Sequence, residues 1–129
     1  MHKVWIADDD QAIRLILEES LGNAGFATEL FSTGEELVKK LDKEKPDLVI
    51  TDVQMPGMLG YDILKHIENN YDDLPVIVMT AFADMQAAVE AFGGGAFEYI
   101  TKPFDLDETI KIIKRALEEK PKTKGLKKD

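Results

Sequence analysis

The chain has 129 residues, no cysteine, and 16 Lys/Arg against 25 Asp/Glu, for a formal net charge of -9. That length suits one domain that buries a single core without staples, and the lack of cysteine excludes a disulfide framework, a thiol nucleophile and a thiolate metal site. The charge is uneven: residues 1–119 carry 11 basic and 24 acidic side chains while 120–129 carry five and one, so the acidic body argues against direct nucleic-acid binding and suits metal ions and protein partners. Apolar runs are strand-sized, far short of a membrane span, and Met1-His2-Lys3 leads straight into a strand rather than a signal peptide. A cytoplasmic protein without membrane association is expected.

In chain order, Lys3–Ala7 is predicted as the first strand. Asp10 caps a helix whose buried stripe is Ile13, Ile16, Leu17 and Leu21, ended by Gly22-Asn23-Ala24-Gly25. Residues 27–31 form a short edge strand, interrupted by Thr28 and Glu29. Thr33 then opens a helix with Glu36 completing a capping box and Leu37, Val38 and Leu41 facing inward. Residues 48–52 make the central strand, and 60–70 a helix with Ile63, Leu64 and Ile67 on one face. A fourth strand spans 76–79, and a short helix spans 84–92 with Met85, Ala88, Val89 and Phe92 inside. Gly93-Gly94-Gly95 stops it before a fifth strand at 96–100 and a last helix over 106–117. Five strands alternating with five helices imply a doubly wound parallel α/β sheet, helices on both faces, joined by right-handed crossovers. Residues 1–119 form that domain; 120–129 lack periodicity and read as a basic tail or linker.

The strands end on reactive side chains: the first on Asp8-Asp9-Asp10, the third on Asp52, the fourth on Thr80, the fifth near Lys102. In a parallel sheet those ends share one edge, where ligands bind. Clustered carboxylates repel one another, and a hard cation with oxygen ligands, Mg²⁺ above all, relieves this. Asp8, Asp9 and Asp52, with a backbone carbonyl from the loop after Asp52, are the candidate ligands. One carboxylate could then attack phosphorus, with Thr80 and Lys102 holding phosphoryl oxygens. Singly, each feature has a plainer reading: an acidic capping turn, a turn-forming Asp52 before Pro56-Gly57, a helix-entry Thr80, a solvated Lys102 and a packed Tyr99.

Together, Asp8-Asp9, Asp52 with Met55-Pro56-Gly57, Thr80-Ala81 and Lys102-Pro103-Phe104 resemble the receiver domain of bacterial two-component response regulators, over nearly all of residues 3–118. The stretches 50–58 and 95–105 are most similar to the nitrogen-regulatory NtrC subfamily. The resemblance implies a flavodoxin-like three-layer sandwich with strand order 2-1-3-4-5. It implies that Asp52 is the phospho-acceptor, that Asp8, Asp9, Asp52 and the Gln54 backbone carbonyl bind Mg²⁺, and that Lys102 pairs with the phosphoryl group ahead of a cis proline. It makes Thr80 and Tyr99 a switch pair acting on the face built from the fourth helix, fifth strand and fifth helix. A sensor histidine kinase is the implied partner, with a sigma-54-activating ATPase and a DNA-binding domain as outputs in cis and a phosphorylation-dependent homodimer admitted. Leu59 stands where the family often has Asp, and Phe82 flanks the path of a hydrolytic water.

A haloacid-dehalogenase phosphohydrolase would need Thr or Val after its two acids and a cap over the substrate; Gln11 and Ala12 follow here. A flavodoxin-like FMN carrier would need a phosphate loop where this chain has three acids. A stand-alone receiver acting through protein contacts is the remaining alternative. Because the modified domain is itself the signal, a non-enzyme is expected.

Overall fold

The structure is a computed structural model that describes residues 1–119; the expected tail at 120–129 lies outside them. Five strands, β1 (Lys3–Ala7), β2 (Ala27–Phe31), β3 (Leu48–Asp52), β4 (Val76–Ala81) and β5 (Glu98–Lys102), pair in parallel in the order β2-β1-β3-β4-β5. The helices are α1 (Gln11–Asn23), α2 (Gly34–Leu41), α3 (Gly60–Asn70), α4 (Met85–Phe92) and α5 (Leu106–Glu119), with a 3₁₀ turn at Phe82–Asp84. This is the expected flavodoxin-like order, with β2 at one edge.

Side chains alternate across a strand with a period of two, which divides the molecule into two cores. Val4, Ile6, Leu48, Ile50, Ile77, Met79 and Ile100 face α1 and α5, where Leu17, Leu21, Ile113 and Ala116 meet them. Trp5, Ala7, Val49, Val76 and Val78 face the opposite way, onto Leu37, Leu41, Ile63, Leu64, Ile67 and Phe92 of α2, α3 and α4. Both faces of the central strands are buried, which is why they read as continuous apolar runs.

Several details differ from expectation. The fourth strand runs on to Ala81 and the fifth is displaced to 98–102, because the register pairs Ile77 with Glu98 and Ala81 with Lys102. Residues 93–97 are used in the return, closed by the Phe97 N–H donating to the Val76 carbonyl at 2.7 Å. Ile16 is 47% exposed, because it lies at the rim near Pro103 and Phe104 rather than under the sheet, and Val89 is 41% exposed on the outside of α4. The box at α2 is shifted by a residue. Thr33 Oγ1 accepts from the Glu36 N–H, but the Glu36 carboxylate accepts from the Ser32 N–H and hydroxyl. At α3 only half a box forms, since Asp62 accepts from the Leu59 N–H and leucine has nothing to return.

Leu17 and Ile16 are neighbours on α1 with opposite fates. Leu17→Ala is expected to lower the unfolding free energy by about 2–5 kcal/mol and Ile16→Ala by less than about 1 kcal/mol, read from urea denaturation midpoints.

Candidate functional site

The period of two also decides which strand-end side chains can meet. Asp8, Asp52 and Lys102 continue the α1/α5 alternation of Ile6, Ile50 and Ile100, so all three leave the sheet on the same side. Thr80 and Tyr99 continue the opposite set, with Val78 and toward Phe92. Because β1 and β3 are neighbours, their terminal acids are brought side by side.

Asp8 is fully buried. Its Oδ1 accepts from the Asp10 N–H at 2.8 Å. Its Oδ2 receives no well-directed hydrogen bond and is met by the Lys102 ammonium at 2.8 Å. The same ammonium lies 3.1 Å from Asp52 Oδ2, and Asp52 Oδ1 accepts from the Val53 N–H at 2.8 Å. Asp9 is exposed, yet one carboxylate oxygen from each of Asp8, Asp9 and Asp52 lies within 4.8 Å of the other two. Asp10, exposed, caps α1 through the Ala12 and Ile13 amides. Beside the acids opens a cleft of about 490 Å³ lined by Asp52, Gln54, Thr80, Ala87, Ala88 and Lys102, among others. Thr80 is buried at its wall, opposite Thr101 in the β4–β5 register. Tyr99 stands apart: its ring packs edge-on against Phe92 at 6.2 Å and its hydroxyl donates to the Gly93 carbonyl at 3.2 Å. The Lys102-Pro103 peptide bond is cis.

The charges are coupled. Burial pushes the Asp52 carboxyl above its ordinary range, the Asp8 carboxylate pushes it further, and Lys102 only partly offsets both. For Lys102, burial opposes the ammonium, but its ion pairs with Asp8 and Asp52 prevail and hold the proton above the ordinary lysine range. The donor set suits a hard cation: three converging carboxylates and a buried oxygen without a directed hydrogen bond, with neither nitrogen nor sulfur donor. Mg²⁺ therefore fits the residues present.

Four supporting groups carried no sequence signal strong enough to be singled out. Thr51, fully buried, donates its hydroxyl to the Asp52 carbonyl at 2.9 Å. Gly60 packs against that carbonyl so closely that a Cβ would sit 2.3 Å from it. Glu35 on α2 accepts from the Met58 N–H at 3.1 Å and fills the space beside Gly57, whose φ is +80°. Arg14 donates from Nη1 to the Asp8 carbonyl at 2.7 Å.

Residues 4–114 match the response regulator receiver domain family, and the chain belongs to it. Among curated relatives it is 45% identical over 114 residues to the DNA-binding transcriptional regulator NtrC of Escherichia coli (strain K12), covering 88% of this chain and 24% of that protein. It is 38% identical over 118 residues to the regulatory protein AtoC of the same strain, covering 92% and 26%. The chain thus spans about a quarter of the length of these relatives, and its receiver is NtrC-like. The apo receiver domain of nitrogen regulatory protein C superposes with a TM-score of 0.82 at 44% identity, covering 91% of this chain and 94% of that one. Its beryllofluoride-activated form, at the same identity and coverage, scores 0.69, so the conformation described here lies nearer the apo form. A response regulator from Chloroflexus aurantiacus gives 0.86 at 33% identity, covering 92% and 98%.

The direction of the Asp52 shift fixes a pH dependence. With its folded pKa raised, the folded state holds the proton more tightly than the unfolded chain. Stability therefore falls as pH rises from the ordinary carboxylate range through the raised value, and the penalty persists above it. In EDTA at pH 7, Asp52→Asn is expected to unfold at higher urea than wild type, the gain vanishing as pH drops below the ordinary carboxylate range. Equal midpoints at pH 7 would contradict the assigned direction.

Proposed function

We propose that this domain accepts a phosphoryl group on Asp52 from the phosphohistidine of a sensor kinase, in a Mg²⁺-dependent transfer. The observation that carries this is the convergence of the Asp8, Asp9 and Asp52 carboxylates with Lys102 between two of them, at the mouth of a cleft walled by Thr80. Asp8, Asp9, Asp52 and the Gln54 backbone carbonyl would hold the ion. Bound there, Mg²⁺ supplies positive charge that neutralises the acids and the phosphoryl oxygens. An Asp52 carboxylate oxygen forms the new bond to phosphorus as the phosphorus–nitrogen bond of the donor breaks and the imidazole leaves. Lys102, which already bridges Asp8 and Asp52, would neutralise an oxygen of the transferred group, and the Thr80 hydroxyl would donate to another.

The product is a modified domain rather than a released chemical, so the domain acts as a signal and not as a turnover enzyme. Thr80 and Tyr99 lie on the same face of adjacent strands, with Phe92 of α4 against the tyrosine. That placement supports a switch in which a change at Thr80 reaches the α4–β5–α5 face through Tyr99. The NtrC and AtoC resemblance supports an output in cis, a sigma-54-activating ATPase with a DNA-binding domain, beyond a receiver at 1–119 and a linker at 120–129. Cytoplasmic residence and a phosphorylation-dependent homodimer go with that reading. Among the described residues no helix is long and apolar enough to cross a membrane.

Incubation with acetyl phosphate and Mg²⁺ is expected to add one phosphoryl mass to the intact protein. Asp52→Asn or EDTA abolishes it; retention of the adduct in Asp52→Asn would move the acceptor elsewhere. Phe82 stands 79% exposed just beyond β4. Replacing this apolar group with a carboxylate, Phe82→Glu, is expected to speed loss of the phosphoryl group roughly tenfold, short of the hundredfold or more a well-positioned base can supply. Decay measured by intact mass after donor removal decides it, and an unchanged half-life counts against a role for Phe82.

A further inference from the structure

The two acids that follow β1 are held very differently. Asp8 is fixed at every polar atom. Its N–H donates to the Phe31 carbonyl at 3.1 Å, Oδ1 accepts from Asp10, Oδ2 meets Lys102, and its carbonyl accepts from Arg14. Asp9 is exposed, and no hydrogen bond or ion pair holds its side chain among the described residues. Its place in the acid cluster therefore depends on the backbone on either side. On the far side that backbone is tied down by Asp10, which caps α1, and by the Arg14 N–H donating to the Asp10 carbonyl at 3.1 Å. On the near side the peptide joining Asp8 to Asp9 is a rigid plane. Its oxygen is the Asp8 carbonyl, which lies one residue past the end of β1.

The geometry points to Arg14 as a positioning residue for Asp9: by gripping the Asp8 carbonyl it fixes the plane of the Asp8–Asp9 peptide and so aims the Asp9 carboxylate at the shared cation site. This inference rests on the reading of Asp8, Asp9 and Asp52 as a Mg²⁺ site. A guanidinium suits the task because its donors form a rigid, directional fork, whereas a lysine ammonium is a flexible point charge. The role also separates cleanly from a simple charge effect. By charge alone, a cation beside three acids repels Mg²⁺, so deleting it should tighten binding. As a positioning group, its deletion should weaken binding.

The sign of the change is the test. ¹⁵N-labelled protein is titrated with Mg²⁺, following the amide signals of residues 8–10 and 52–54, with no phosphoryl donor present. Arg14→Met and Arg14→Gln are expected to bind Mg²⁺ about tenfold more weakly than wild type, the size of loss seen when a group orienting a metal ligand is removed. Arg14→Lys, which keeps the charge, should fall between. The same spectra report the fold, and if one variant is unfolded the remaining two decide by their order. Binding equal to or tighter than wild type in the folded neutral variants overturns the inference. Absence of saturable Mg²⁺ binding in the wild type would instead overturn the metal-site reading on which it rests.

Discussion

One ammonium group stands between two carboxylates that would otherwise repel each other at the end of the sheet. Lys102 reaches both Asp8 and Asp52, and Asp8 is wholly withdrawn from water. Burying such acids without a counter-charge is costly, and removing one partner of a buried ion pair leaves that cost uncompensated. The site is nonetheless under-neutralised, since Asp9 adds a third acid and Asp52 is pushed toward holding its proton. That residual tension is what the proposed divalent cation would relieve. The local instability and the chemistry proposed for the site are therefore two aspects of one arrangement.

The sheet sorts the remaining groups. Strand alternation sends Asp8, Asp52 and Lys102 to the α1/α5 side and Thr80 and Tyr99 to the side of α4. The acid cluster and the Phe92–Tyr99 pair thus lie on opposite sides of the sheet. Thr80 belongs to both settings: buried with the α4-side set, yet lining the same cleft as Asp52 and Lys102. Thr80 is therefore where the proposed switch would pass from the cleft to the second core.

Much of this was legible in the residues. The two-residue and 3.6-residue periods and the turn residues placed α1, β1, β2, β3 and α3 to the residue or nearly so, because their apolar patterns are bounded by strong caps and breakers. The acids and the lysine could be placed at one edge because a parallel sheet leaves no other arrangement for strand ends. Less legible were features fixed by pairing. The two-residue displacement of β5 follows from register with β4, which no local pattern encodes. Ile16 matched a buried stripe by spacing but lies beyond the area that the sheet covers. The supporting groups were the least visible. Arg14 and Glu35 look like ordinary surface charges on helices, and Thr51 like one more β-branched strand residue. Their roles depend on backbone carbonyls and amides that come near only after folding.

Gly60 illustrates how such backbone contacts constrain a protein's history. The first residue of α3 rests directly on the carbonyl of Asp52, with no room for even a methyl group. Its neighbours Leu59 and Tyr61 are partly exposed and can be replaced by side chains of other shapes. Gly60 cannot be, because any added side chain would displace the peptide that presents Asp52. The position tolerates no drift even though it performs no chemistry, and a lineage of such domains would be expected to keep it as firmly as the acid itself.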